Sequence, residues 1–392
     1  MAEPLRPRVL LVTRNLPPLV GGMERLNWHI ADELSHHAGV AIVGPEGSAA
    51  TRPDQVELTE VPLRPLSRFL ATSAWQALRI AHRWKPDIVL AGSGLTAPAA
   101  LMAARAVSAR AAIYLHGLDV AVRHPVYRAI WHPAIRRMDT AIANSRPTAE
   151  LAQALGVSAA RMHIVHPGVQ MPEAPQSFAA LQDFRHRHGL GNHRILLSIG
   201  RLTTRKGLRE FVQYSLPTIV REAPDALLVI IGDVPTDALN ANLQTRESIQ
   251  ATADEAGIGK HLRFLGIITA PIELACAYES ASVHVFPVCH ITGDPEGFGM
   301  VAIEAASHGT PTAAFATGGI VDAVAQGQSG TLVEPGNYPA LARAVLHSLG
   351  KKSAFDRDKT IAFARSFAWP DFGKNLCEAL QLSMPPVATV RQ

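Results

Sequence analysis

DPEGFGMVAIEAASHGTPTAAFATGG, residues 294–319, alternates glycine turns with short apolar runs, and its reading decides the fold class. Gly297 and Gly299 flank Phe298 and follow Glu296, so the backbone is free to take positive φ ahead of a helix. That helix is expected over Met300 to Ser307, with Val301 and Ala305 as small packing residues and Glu304 eight positions after Glu296. The N–H groups of Gly299, Met300 and Val301 stand between the two carboxylates, and an open helix start of this kind attracts phosphate. An ordinary capped surface helix carries the same spacing. Beyond it Gly309 ends the helix, Thr312 to Phe315 reads as a buried strand, and Thr317, Gly318 and Gly319 turn again. Strand, loop and helix therefore alternate, which is the α/β pattern.

The 392 residues exceed one core, so two domains of roughly 150 to 200 residues are expected. Apolar residues make up 47% and charged residues 18%, which fits a well-buried chain with disorder confined to its ends. Cys276, Cys289 and Cys377 are far apart and odd in number, so they offer neither a disulfide framework nor metal spacing, and a reducing cytoplasm is expected. A net charge of +4 favours an anionic substrate or membrane surface. No basic run is interleaved with aromatics, which argues against nucleic acid. Arg6 and Arg8 precede Val9 to Val12, but no apolar stretch there is long enough for a signal peptide, and export is not indicated. The low-charge run Ile88 to Ala104 is too short to span a bilayer and reads as strand, loop and helix.

Along the first half, Val9 to Thr13 is a continuous apolar run, as expected of a central parallel strand. Gly21 and Gly22 follow at the mouth of a helix whose stripe is Met23, Leu26, Ile30 and Leu34. Their amides can face a phosphate or simply form a turn. Val40 to Val43, Ile88 to Ala91, Ala112 to Leu115 and Thr140 to Ala143 repeat the unit, predicting a doubly wound parallel sheet. Ligands in such sheets bind beyond the carboxyl ends of the strands, which singles out His116 and Asp119. Arg64 to Trp84 reads as a helix carrying Trp75, Trp84, Arg64, Arg68, Arg79 and Arg83, either a surface for anionic lipid or a packed helix with snorkelling arginines. Gly92, Gly94, Ala97 and Asp119 satisfy a permissive dinucleotide pattern, which would suit a nicotinamide-dependent dehydrogenase, though not at a first strand.

Gln170 to Asn192, with Pro172, Pro175 and several histidines, breaks the rhythm. The boundary is placed there: a first domain over 1–170, a linker over 171–192 and a second domain over 193–365. Ile195 to Ile199 is the next strand, and the loop Gly200 to Gly207 (GRLTTRKG) follows it. Arg201 and Lys206 supply a forked donor and a point charge suited to a pyrophosphate leaving group. Leu227 to Gly232 and Val283 to Pro287 are further strands, and Arg263 to Gly266 leads into a helix from Pro271. Asp356 and Asp358, among lysines, read as a solvated helix face rather than a metal pair.

Taken in order, GGMER, HGLD, GRLTTRKG, RFLG, EGFGMVAIEA, GTP and the late GG resemble family 4 retaining glycosyltransferases over nearly the whole chain. The resemblance implies the GT-B fold: two Rossmann-like doubly wound parallel-sheet domains facing a central cleft, with a last helix, 366–385, crossing back onto the first. It implies a nucleotide-sugar donor, GDP- or UDP-linked, held by Gly21, Gly22, Gly200, Arg201, Lys206, Gly266, Glu296, Gly297, Phe298, Gly299, Met300, Val301 and Glu304. His116, Arg201, Lys206 and Glu296 would serve catalysis. Glu304 would hold the ribose, Glu296 the sugar hydroxyls, and His116 would sit by the reactive carbon. No metal or other cofactor is implied. The acceptor would be lipid-linked or a saccharide, with peripheral association at an anionic membrane on the cytoplasmic side. The longer loop before Asp294 is similar to phosphatidylinositol mannosyltransferase-like members, which favours mannose over N-acetylglucosamine. A sugar-nucleotide epimerase of the same fold and a non-catalytic nucleotide-sugar-binding subunit are the competing readings.

Overall fold

Thirteen strands in two wholly parallel sheets organise the computed structural model, which describes residues 6–234, 243–350 and 355–382. Residues 1–168 and 369–392 form one unit and residues 169–368 the other. In the first unit the strands are β1 (Arg8–Val12), β2 (Gly39–Pro45), β3 (Val56–Val61), β4 (Ile88–Ala91), β5 (Arg110–Leu115), β6 (Thr140–Ala143) and β7 (Met162–Ile164). They lie in the order β3-β2-β1-β4-β5-β6-β7. Val9, Leu10, Leu11 and Val12 of β1 are wholly buried, because helices cover both faces of a central parallel strand. The order reverses between β1 and β4, the switch point at which such sheets open a crevice. Strands β3 and β7 lie outside the apolar pattern: the edge strand β3 carries Glu57 and Glu60, and β7 has only three residues.

The helix Leu66–Trp84 is packed on one face, as one of its two readings expected. Phe69, Ala77 and Ala81 are buried in the core while Trp75 is 58% exposed with the Arg79 guanidinium 5.5 Å from its ring centroid. Among the described residues no helix is long and apolar enough to cross a membrane.

The second unit repeats the plan with β8 (Arg194–Ile199), β9 (Ala226–Ile231), β10 (Leu262–Gly266), β11 (Ala281–Phe286), β12 (Thr312–Phe315) and β13 (Gly330–Val333), ordered β10-β9-β8-β11-β12-β13. Its switch point falls between β8 and β11. Arg263 to Gly266, expected only as a lead-in to a helix, is therefore part of a strand. The expected linker 171–192 holds the helix Phe178–Arg187, which Ser177 caps by accepting from the Ala180 amide at 3.2 Å. Phe184 from that helix is buried with Leu190 and Tyr278. Asp356 and Asp358 are exposed as expected, and Asp356 also caps the helix Arg357–Arg365, accepting from the Asp358 amide at 2.9 Å and the Lys359 amide at 3.3 Å.

The last described helix, Trp369–Ala379, packs within the first unit on the helix Gly22–Ser35. Trp369 stacks on His29 with ring centroids 3.6 Å apart, and Phe372 and Leu376 are buried. Burial then pushes His29 down to about 3, with Arg25 adding to it, and raises Glu33 to about 7.

Candidate active site

The second unit places its charged loops at the carboxyl ends of β8 and β11, on either side of the switch point. After β8 the chain runs through Gly200 and Arg201 into a single turn, Thr204–Lys206, closed by the Lys206 amide donating to the Thr203 carbonyl at 2.9 Å. Gly207 leaves that turn with φ +65°, and a Cβ there would strike the Pro287 carbonyl and the Cys289 sulfur. Glycine is thus required twice over, for conformation and for the close approach of the two loops. The Cys289 amide completes the seam by donating to the Arg205 carbonyl at 2.8 Å.

Glu296 is the centre of the cluster. Lys206 Nζ donates to its Oε2 at 2.8 Å and Arg205 Nη1 donates to the same oxygen, while Arg205 Nε lies 3.3 Å from Asp294 Oδ1. The Lys206 ammonium also lies 4.7 Å from the Phe286 ring centroid. Burial by itself would raise the Glu296 carboxyl, but Lys206 and Arg205 more than offset it and hold the group at about 2. Glu296 is thereby a fixed anion inside a cationic loop. Its carbonyl accepts from the Gly319 amide at 2.9 Å, and a Cβ on Gly318 would collide with that same carbonyl. The late glycine pair is the floor on which the Glu296 loop rests.

Gly299, with φ +93°, caps the helix Met300–Ser307 and offers no side chain, so the first amides, Met300 and Val301 among them, receive no side-chain cap. Phe298, expected among the donor-binding residues, instead turns into the core beside Phe367. Gly297 contributes backbone only, with its carbonyl against Gly319. Glu304, one turn into the helix, accepts at Oε2 from the Tyr278 hydroxyl at 2.9 Å. Arg201 is exposed, but its charge is near enough to act on both Lys206 and Glu296. A small cavity at this edge is lined by Ser198, Gly200, Arg201, Lys206, Phe286 and Pro287.

Gly200, Gly232 and Gly266 end β8, β9 and β10 in a row, each with positive φ. The Gly200 amide donates to Ile231 at 3.0 Å and the Gly232 amide to Gly266 at 2.8 Å. A Cβ on Gly232 would strike the Gly200 carbonyl, whereas one on Gly266 would meet nothing within 4 Å. Bare backbone therefore edges the sheet beside the cation loop.

In the first unit His116 follows β5 as expected. Its Nε2 lies 2.8 Å from the Gly92 carbonyl, which only accepts, so the neutral ring carries its proton on Nε2 and its lone pair on Nδ1. Asp119 accepts from the His116 amide at 2.9 Å, and Gly92 and Gly94 lie against Asn27, Thr13, Asp119 and Tyr127. These glycines serve close side-chain packing, which corrects the dinucleotide pattern. Gly21 and Gly22 open the helix Gly22–Ser35, and a Cβ on Gly21 would run into the Glu24 carboxylate, held by Asn15 Nδ2 at 2.7 Å. A carboxylate already lies over that helix start. The residues that sequence reasoning did not select are Arg205, Asp294, Gly232 and Tyr278. Arg205 alone carried a signal, as a third cation in the same loop.

Residues 20–171 match the family model described as Glycosyltransferase Family 4, and residues 182–367 match Glycosyl transferases group 1. A GDP-mannose-dependent alpha-(1-6)-phosphatidylinositol monomannoside mannosyltransferase of Mycolicibacterium smegmatis is 30% identical over 357 residues, 86% of this chain and 88% of that protein. A 2-deoxystreptamine glucosyltransferase of Streptomyces kanamyceticus is 26% identical, covering 80% of this chain and 85% of its own. Among solved structures, Anabaena Alr3699/HepE in complex with UDP-glucose superposes with a TM-score of 0.79 at 19% identity, over 95% of this chain and 99% of that one.

Proposed function

The chain belongs to the family 4 glycosyltransferases and has the GT-B fold, and from that premise we propose that it moves a hexosyl unit from a nucleoside-diphosphate sugar to an acceptor hydroxyl, with retention at the anomeric carbon. The observation that carries the reading is the Arg205–Lys206–Glu296 cluster at the switch point of β8 and β11, beside a helix start without a side-chain cap. Lys206 and Arg201 are assigned to the diphosphate, with the amides of Met300 and Val301. Glu296, kept ionised, is assigned to the sugar hydroxyls, and Glu304 to the ribose. His116 is assigned to the sugar near its reactive carbon.

In the proposed step the bond between the anomeric carbon and the phosphate oxygen breaks, and the diphosphate keeps the electron pair. The acceptor oxygen bonds to that carbon from the same face, and its proton passes to the departing phosphate. Lys206 and Arg201 take up the charge that develops on the leaving group. The step is assigned no divalent cation.

GDP-mannose is the favoured donor, since the mannosyltransferase relative is named for it and the longer loop before Asp294 resembles that of phosphatidylinositol mannosyltransferase-like members. The favoured acceptor is a lipid-linked or saccharide hydroxyl in cell-envelope glycolipid or polysaccharide synthesis, reached at the cytoplasmic side of an anionic membrane. The run from Val61 to Lys85 supports that surface, because it carries Arg64, Arg68, Arg79, Arg83 and Lys85 and no acidic residue. Salt-sensitive sedimentation with vesicles containing phosphatidylglycerol, absent with neutral vesicles, is the expected result.

A thermal-shift panel of nucleotide sugars, followed by measurement of released nucleotide with and without chelator, tests the whole reading. One donor should stabilise the protein and be turned over only with an acceptor, with or without chelator, and NMR of the product should show the donor's anomeric configuration. Turnover of UDP-N-acetylglucosamine alone would establish an epimerase instead, and binding without turnover for any acceptor a non-catalytic subunit.

A further inference from the structure

Glu304 does not stand by itself. We propose that Tyr278 is the positioning residue for ribose recognition: its hydroxyl ties down one oxygen of Glu304 and thereby aims the other at the ribose hydroxyls. This rests on the assignment of Glu304 to the ribose. Tyr278 comes from the helix Pro271–Ser280 and is 1% exposed, so its hydroxyl must find a partner inside the protein. The partner is Glu304 Oε2, at 2.9 Å. A phenol donating to a carboxylate makes a charge-assisted bond, stronger and more directional than one to a neutral acceptor.

Tyr278 is itself held on several sides. Its ring lies parallel to His308, with 8° between planes and centroids 5.4 Å apart. His308 Nδ1 is 3.0 Å from Glu279 Oε1, and Glu279 Oε2 accepts from the Gln176 amide at 2.8 Å and lies 3.7 Å from Arg357 Nη2. The Tyr278 carbonyl accepts from the Thr310 hydroxyl at 2.7 Å. The phenol therefore cannot swing to follow Glu304, and the carboxylate must conform to the phenol. A ribose-reading carboxylate anchored in this way forms its bonds to the sugar without first losing rotamer freedom.

The test measures affinities of GDP and UDP, each beside its 2′-deoxy and 3′-deoxy analogue, for the wild type, Tyr278→Phe and Glu304→Ala by calorimetry. The wild type should prefer the ribonucleotide by roughly tenfold or more over at least one analogue. Glu304→Ala should erase that preference. Tyr278→Phe, which keeps the ring and its stack, should weaken the ribonucleotide about fivefold to tenfold and the analogue much less, so that the preference narrows. A wild type without preference removes the ribose assignment of Glu304 itself. A wild-type preference lost in Glu304→Ala but intact in Tyr278→Phe, or equal weakening of both nucleotides, overturns the role of Tyr278 alone. Difluorotyrosine at position 278, a stronger donor on the same fold, should widen the preference, and an unchanged ratio also counts against the proposal.

Discussion

Lys206 is the residue on which the chemistry turns, and its removal separates catalysis from folding. In Lys206→Ala the Glu296 carboxylate keeps Arg205, so no buried charge is left without a partner. Turnover should fall by about a hundredfold or more while the melting temperature moves little, as for loss of one charge-stabilising group. Near-normal turnover in a folded variant removes Lys206 from the leaving-group role. Glu296 gives a second, independent reading through pH. Its folded pKa lies below the ordinary 4.5, at about 2, so its contribution to stability is complete above 4.5 and disappears as the pH falls toward 2. Glu296→Gln should thus be less stable than the wild type at pH 6, and the gap measured by denaturant unfolding should close toward pH 2. A gap constant with pH would mean the carboxylate is not held by these cations. Lys206 was legible as a cation in the loop after a strand, and Glu296 as a carboxylate in a glycine turn ahead of a helix. Arg205 was not, because a single turn of 3-10 helix decides which of its three side chains faces inward.

At the scale of elements, the central strands could be read directly. Residues 9–12 and 88–91 are continuous apolar runs, and the sheet order places both at the middle. Edge strands escaped because half-exposed backbone tolerates polar residues, as Glu57 and Glu60 show in β3. The sequence showed glycines at several strand ends but not which of them the packing demands. Gly232 and Gly266 make the distinction measurable. Both have positive φ, yet a Cβ at 232 would meet the Gly200 carbonyl while a Cβ at 266 meets nothing within 4 Å. Gly266→Ala should cost only the left-handed backbone penalty, about 1–2 kcal/mol. Gly232→Ala should cost clearly more, since the loop carrying Arg201 must shift, and it should weaken nucleotide binding as well. Equal losses of stability in the two variants would show that the close approach at Gly232 does not constrain the edge.

For the whole molecule, chain order and folding unit part company at Trp369. The helix Trp369–Ala379 follows the second unit in sequence but packs in the first, where Trp369 stacks on His29 and fills the space left by Gly168. Gly373 lets the helix come down beside Glu33, and Phe372, Leu376 and Cys377 are buried with it. The apolar stripe of this segment was visible in sequence, but no local pattern states which distant helix it will cover. A chain ending at Ala368 loses Trp369, Phe372 and Leu376, each at most 5% exposed, and uncovers His29 and Glu33 on the helix Gly22–Ser35. Loss of several large buried side chains, at about 2–5 kcal/mol apiece, would remove most of the stability of a typical domain. Hydrogen exchange of the truncated chain should therefore show protection lost in residues 22–35 and in β1 and β4, with β8 to β13 still protected. Even loss of protection across both sheets would mean that the two units do not hold their stability separately. Unchanged protection at 22–35 would mean that the last helix covers the first unit without supporting it.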